Sequence, residues 1–154
     1  LHTNDALAAV NRLVDMGVEP YLVAASLRAA MAQRLVRRLC EQCAVSLQDT
    51  AALEARAEAF RARGGALPSQ PRWRAAVGCA ACNHTGYAGR VGVYELLTVT
   101  EEMREMLVQE QPSHDEMRKL AIKQGLVPLR EGGIQLVEQD VTTISEIVRS
   151  IYMI

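Results

Sequence analysis

The chain carries four cysteines in two pairs of identical spacing, Cys40-Glu41-Gln42-Cys43 and Cys79-Ala80-Ala81-Cys82. Nothing else in the sequence constrains the fold as much. Two such pairs can aim four thiolates at one centre only if the chain brings residues 40–43 against residues 79–82. Each short gap makes a knuckle that supplies two ligands at once, and tetrahedral zinc takes four. Residues 44–78 separate the pairs, a longer stretch than the ~15–20 residues of the common spacing. Doubling a loop costs only about 0.6 kcal/mol, against the ~10–16 kcal/mol that a structural zinc contributes, so the long excursion is no obstacle. Four buried free thiols would not be expected as two identical pairs. Local redox disulfides belong before a helix in a thioredoxin-like βαβ unit, and neither pair sits in one. Ligand type alone does not separate zinc from a rubredoxin-like iron site. The reading is a closed structural zinc centre at Cys40, Cys43, Cys79 and Cys82, with no open position for a reacting water.

A chain of 154 residues can bury a sizeable core, as one domain or a domain with a small appendage. Apolar residues make up 49% and the net charge is −1, as in ordinary soluble globular proteins. That balanced charge, with only 4% aromatic residues, counts against a nucleic-acid surface built on basic and stacking groups. We expect no signal peptide, and the charge-free run from Pro20 to Leu27 is far too short to span a bilayer. Paired thiols without an export signal fit a reducing cytosol. The chain opens at Leu1 rather than methionine, and we expect it to be a fragment of a longer protein.

Local signals predict a mostly α chain with a small β component. Asn4 or Asp5 can cap a helix running to about Met16, with an apolar stripe at Leu7, Val10, Leu13 and Val14 and a stop at Gly17. A second helix is expected from Pro20 to about Leu39, with Leu22, Val23, Leu27, Ala30, Met31, Leu35 and Val36 on a wide apolar face. Residues 49–63 read as a charge-studded helix in an insertion outside the core, and Trp73 as core packing or a cover for the metal site. Val91 to Leu97 is the best strand. Thr98 with Glu101, and Ser113 with Glu116, make capping boxes for helices to about Gln109 and Gly125. Pro128 opens a further helix, and Thr143 with Glu146 caps the last. Arg34, Arg37, Arg38 and Arg90 flank the knuckles, where they could offset the charge of the thiolates or serve an interface. Arg90 and Glu95 are candidates to pair along the strand. No phosphate loop, nucleophile elbow, metalloprotease helix or calcium loop is present in these residues.

Several segments together are more specific. They are Leu1-His2-Thr3-Asn4-Asp5, Asn11 through Pro20, Ala32 through Cys40, the second knuckle through Gly89-Arg90, and Val91-Gly92-Val93-Tyr94-Glu95-Leu96-Leu97. In this order they resemble the segment after the Walker B motif in ATPases of type II secretion and type IV pilus assembly, including mannose-sensitive haemagglutinin-type pili. The resemblance covers the chain except for about residues 46–75. It implies the C-terminal portion of a RecA-like P-loop α/β ATPase domain. Residues 1–39 would be the last part of the ATPase core. Residues 40–90 would be a tetracysteine zinc subdomain with a helical insertion at 46–75, and residues 91–154 a strand and a C-terminal helical subdomain.

The resemblance further implies a cytoplasmic homo-hexamer, peripheral to the inner membrane through a platform protein, with no nucleic acid as partner. ATP with Mg2+ would drive insertion of pilins or pseudopilins into a filament. The phosphate loop and acidic boxes would lie upstream, so this part alone should be inactive. His2 matches the family's histidine box and would sense the γ-phosphate, with Thr3 assisting through its hydroxyl; an imidazole that merely caps the first helix is the plainer use. Asp140 stands where the family's turn before Thr142-Thr143 is expected to carry glycine. The competing readings are a zinc-ribbon nucleic-acid-binding module and a scaffold that docks a partner through its terminal helices.

Overall fold

The computed structural model describes residues 5–47, 51, 54, 58, 74–109 and 113–152. Among them, six α-helices and two two-stranded sheets can be bounded, in keeping with a mostly α chain. Helix α1 spans Ala6–Asp15, capped by Asp5, whose side chain accepts from Ala8 N at 2.6 Å. Leu7 and Val10 from the expected stripe are buried. Helix α2 spans Pro20–Ser26, with proline in the first turn, where a missing N–H costs nothing.

The second helix does not continue to Leu39. Leu27 is extended, and Ala29–Leu39 is a strand, β1. The apolar positions here satisfy a helical stripe and a strand alternation about equally, and alanine tilts the local preference toward helix. A partner far along the chain decides the outcome. Strand β4, Tyr87–Thr98, pairs with β1. Val99 N donates to Arg28 O at one end of the ladder and Cys40 N to Gly86 O at the other, so the pair is antiparallel. Ala32 and Val36 are buried while Ala29, Met31, Gln33 and Leu35 face outward, the period of a pleated strand. The expected strand Val91 to Leu97 lies inside β4, which extends beyond it at both ends.

Strands β2, Ala44–Ser46, and β3, Arg74–Ala76, pair antiparallel with Val45 opposite Ala75 and tie off the excursion between the knuckles. Of the helix expected over 49–63, Ala51, Glu54 and Glu58 are helical and exposed. Its other residues and Trp73 lie outside the described residues. Helix α3, Glu101–Val108, is capped by Thr100 rather than Thr98. Thr98 is held as the last residue of β4, and the chain must leave the ladder after Val99 before it can turn. Helix α4, His114–Lys123, has the reciprocal Ser113–Glu116 box. Helix α5 spans Leu129–Glu138. Helix α6, Ile144–Ile147, is capped by Thr143 and widens into a π-type turn at Val148–Tyr152. Asp140, where glycine was expected, has φ +60°, a left-handed conformation that aspartate tolerates better than most residues.

The chain divides into two compact units, Leu1–Gln33 with Tyr94–Leu129, and Arg34–Val93 with Arg130–Ile154. In the first, α1 packs on α2 and α4, and α2 on α3, around Leu7, Val10, Val23, Leu97, Met103, Leu107 and Met117. Glu95 is buried in this unit. Its Oε1 accepts from Ala6 N at 2.8 Å and its Oε2 from Leu129 N at 3.1 Å. It therefore does not serve as a strand partner of Arg90. Residues an odd number of positions apart point to opposite faces of a strand, and Arg90 is exposed.

The second unit buries Val36, Leu39, Val93, Ile134, Val137 and Ile147, and among them the carboxylate of Glu146. Arg37 meets it with Nε at 3.0 Å, Nη2 at 2.6 Å and its backbone N at 3.1 Å. Arg149 adds Nε at 3.0 Å and Nη2 at 2.7 Å. The Arg37 guanidinium also lies 4.0 Å over the Tyr87 ring, and Tyr87 Oη pairs with Thr143 Oγ1 at 2.9 Å. Thr142 Oγ1 donates to Arg37 O at 2.7 Å. Burial by itself would raise the Glu146 carboxyl, but hydrogen bonds from Arg149 and Arg37 outweigh it and hold it down at about 2, against an ordinary 4.5.

A carboxyl depressed in the folded state stabilises fully above its unfolded value, and the gain disappears as pH falls through the folded one. The 4.5-to-2 interval corresponds to about 3 kcal/mol. Glu146→Gln leaves two guanidinium groups against a neutral amide, and should cost about 3–5 kcal/mol at neutral pH. Denaturant melts at a series of pH values should show the wild-type advantage over Glu146→Gln shrinking from about pH 5 down to about pH 2. The difference between the profiles isolates this carboxylate from the acid sensitivity of the thiols.

Candidate metal centre

Strand β1 ends at Leu39 and delivers Cys40 to the first knuckle, which folds around that residue's carbonyl. Cys43 N and Ala44 N both donate to Cys40 O, at 3.3 and 2.9 Å. The second knuckle repeats the device. Cys82 N and His84 N donate to Cys79 O at 3.2 and 2.8 Å, around one 3-10 turn at Ala80–Cys82. The Cys40 N to Gly86 O bond, 3.0 Å, joins the first knuckle to the loop leaving the second. The chain thus brings together all four cysteines singled out from the sequence.

Their ligand atoms lie within 4.8 Å of one another. The sulfurs of Cys40 and Cys79 are 3.8 Å apart, those of Cys43 and Cys82 3.8 Å, and those of Cys79 and Cys82 3.7 Å. A metal–sulfur bond of about 2.3 Å puts the edges of a tetrahedron at about 3.8 Å. These three separations match the edges of a tetrahedral tetrathiolate site. They are too long for disulfides, and all four cysteines are free. Four sulfurs would fill a tetrahedral shell and leave no place for a substrate or water, so the arrangement can hold an ion but offers no open coordination position for chemistry.

The groups that meet the sulfur charge are backbone amides. Gly78 N donates to Cys43 Sγ at 3.3 Å, and Cys79 N and Gly86 N both donate to Cys82 Sγ at 3.2 Å. Of the arginines expected around the centre, Arg37 and Arg38 are engaged elsewhere. Arg37 is committed to Glu146, Arg38 pairs with Glu41 at 3.7 Å, and Arg90 is exposed. Gly78 and Gly86 were not singled out from the sequence as functional, yet both places require glycine. Gly78 has φ +108°, and a Cβ there would sit 2.6 Å from His84 O. Gly86 has φ +76°, and its Cβ would fall 2.5 Å from the Cβ of Ala76. The available signal was position: one glycine directly before a knuckle and one four residues after its last cysteine.

These contacts separate the thiols. Burial pushes Cys43 up to about 12, opposed by the Gly78 amide and reinforced by hydrogen bonds with the other three thiols. Burial also acts upward on Cys82. There the amides of Cys79 and Gly86, with hydrogen bonds from Cys79 and Cys43, prevail and bring it to about 6. The amides thus favour the charged form at Cys82 more than at Cys43, and an arriving cation must displace whatever protons the thiols still hold. His2 and Thr3, the other candidate site residues, lie outside the described residues.

Residues 1–149 match the family described as type II/IV secretion system protein. The chain is 44% identical to the type II secretion system protein HxcR of Pseudomonas aeruginosa over 149 residues, covering 97% of this chain and 27% of that protein. It is 39% identical to the type IV pilus assembly ATPase PilB of Thermus thermophilus, covering 96% of this chain and 16% of the relative. It is 40% identical to the type II secretion system protein E of Aeromonas hydrophila, with coverage of 97% and 28%. The chain therefore spans only between 16% and 28% of the length of these relatives.

The cluster should take up one equivalent of a thiophilic divalent ion and release protons as it does so. Affinity should weaken as pH falls from about 8 to about 6, because protons compete for the thiols; cobalt titration followed by its thiolate absorption would measure this. Cys79→Ser should lose the tetrathiolate spectrum. Gly86→Ala should weaken binding although every cysteine is kept, since the backbone must shift to admit the new methyl.

Proposed function

The chain belongs to the type II/IV secretion system protein family, and from that premise we propose that it is the C-terminal part of a hexameric cytoplasmic traffic ATPase. The match over residues 1–149, with relatives named for type II secretion and as type IV pilus assembly ATPases, is the observation that carries this reading. The whole protein would be a RecA-like P-loop ATPase. It would hydrolyse ATP with Mg2+ and insert pilins or pseudopilins into a filament at the inner-membrane platform protein. No helix among the described residues is long and apolar enough to cross a membrane, which suits attachment through that partner.

Within this machine the four cysteines are the ligands of a structural zinc. The near-tetrahedral sulfur spacing and the amide donors at Cys43 and Cys82 support that assignment. The zinc would hold the knuckles together when bound, and the reaction would take place elsewhere. His2 is assigned to nucleotide sensing. An imidazole can donate to a γ-phosphate oxygen while ATP is bound and relax after hydrolysis. Thr3 would support it through its hydroxyl.

The test is ATP turnover. Residues 1–154 alone should hydrolyse no ATP, and the same residues joined to their upstream P-loop region should be active. In that longer protein His2→Ala should lower kcat by about 100-fold, the scale for removing one donor to transition-state charge. Unchanged turnover in the variant would remove His2 from the mechanism. Turnover by residues 1–154 alone would overturn the assignment of the phosphate site to another region.

A further inference from the structure

The four sulfurs of the cysteine cluster are not equivalent. Cys40 and Cys82 are buried, whereas Cys43 and Cys79 are half-buried. Cys82 Sγ accepts two backbone amides and Cys43 Sγ one. At Cys79 the nearest amide, that of Cys82, is shared with the Cys79 carbonyl, to which it donates at 3.2 Å. Each N–H that a sulfur accepts draws on its lone pairs and lowers its basicity. Of the two half-buried cysteines, Cys79 therefore has the sulfur less occupied by the backbone.

Its neighbour on the same knuckle is placed to react with it. Cys82 Sγ lies 3.7 Å from Cys79 Sγ across a single 3-10 turn. Closing that distance to the ~2.05 Å of a disulfide takes roughly 0.8 Å from each sulfur. The two amides on Cys82 Sγ favour its thiolate, the form that attacks. Cys40 Sγ, 3.8 Å away on the other knuckle, lacks that pair of amides. An accessible sulfur beside a buried one held ready as thiolate is the arrangement in which a cysteine is oxidised and its neighbour resolves it.

We propose that Cys79 is an oxidation site with Cys82 as its resolving partner, so that a hydroperoxide closes the second knuckle into a disulfide and removes two ligands from the metal centre. The proposal goes beyond the structural zinc assigned above and rests on it only for the fate of the ion. In the first step Cys79 Sγ attacks one oxygen of hydrogen peroxide. The O–O bond breaks, that oxygen stays on sulfur as a sulfenic acid, and the other leaves as hydroxide and takes up the proton of the thiol. Cys82 thiolate then attacks Cys79 Sγ. The S–S bond forms, the S–O bond breaks, and the departing hydroxide is protonated to water. Two thiols lose two electrons, and one peroxide becomes two waters. Cys40 and Cys43 stay reduced, and two sulfurs cannot complete a tetrahedral shell. A thiol reductant reverses the disulfide by exchange.

The experiment is a titration of the metal-loaded full-length ATPase with hydrogen peroxide, read by ion release to a chromogenic chelator and by peptide mass spectrometry without reduction. Brief exposure in the presence of dimedone should label Cys79 ahead of the other three cysteines. Longer exposure should give a Cys79–Cys82 disulfide and about one ion released per disulfide, and dithiothreitol with added zinc should restore the starting state. Cys82→Ser should prolong the dimedone adduct at Cys79. That variant also removes a ligand, so the map of the wild-type protein decides. A disulfide joining Cys79 to Cys40, or first labelling at Cys40 or Cys43, would overturn the proposal. Ion release without a disulfide would overturn it too, as would thiols that stay reduced while glutathione in the same solution is oxidised, and both results would leave the zinc assignment standing. A Cys79–Cys82 disulfide in a protein that had held no ion would keep the oxidation site and overturn the structural zinc.

Discussion

The pairing of β1 with β4 is the interaction on which the other features depend. It turns Ala29–Leu39, a stretch with strong local leanings toward helix, into one side of a long antiparallel ladder. It ends at the Cys40 N to Gly86 O bond, which sets the first knuckle beside the loop that leaves the second. It also fixes which residues of β4 face inward, and so places the Glu95 carboxylate at the start of α1. Without this ladder the two cysteine pairs would be neighbours in composition only.

Two carboxylates are buried among the described residues, and each is stabilised differently. Glu146 lies against two guanidinium groups and its own helix cap, so its charge is balanced by full opposite charges. Glu95 receives backbone amides at two helix starts, with their fractional charge. The first arrangement joins the end of β1 to α6 inside one unit. The second fixes the first turn of α1 inside the other. Both are high-stakes arrangements, because removing one partner leaves an ion buried without compensation.

At the cysteine cluster the order of contributions is plain. A bound structural ion is worth on the order of ten kcal/mol, far more than the entropy of closing residues 44–78 into a loop. With such an ion bound, the length of chain between the knuckles would cost little by comparison, and the β2–β3 ladder pairs its two ends. Backbone amides meet the sulfurs of Cys43 and Cys82. Such donors are fixed by the turn itself, and they need glycine where the chain folds closest to its neighbours.

What the sequence determined by itself was the set of features whose causes lie within a few residues. The cap at Asp5, the Ser113–Glu116 box, the cap at Thr143, the apolar run through Val91 and the repeated cysteine spacing all belong here. The left-handed turn at Asp140 was not legible from its own residues; only the family resemblance pointed to glycine there. Tertiary structure decided whatever needed a distant partner. Ala29–Leu39 is a strand because β4 is there to receive its hydrogen bonds. Thr100 displaces Thr98 as a cap because the ladder keeps Thr98. Glu95 and Arg37 find partners, at Ala6 and Glu146, that no short-range spacing indicates. Local preference is worth tenths of a kcal/mol per residue, whereas a buried ladder or a satisfied buried charge is worth several. Where the two disagreed, the distant partner won.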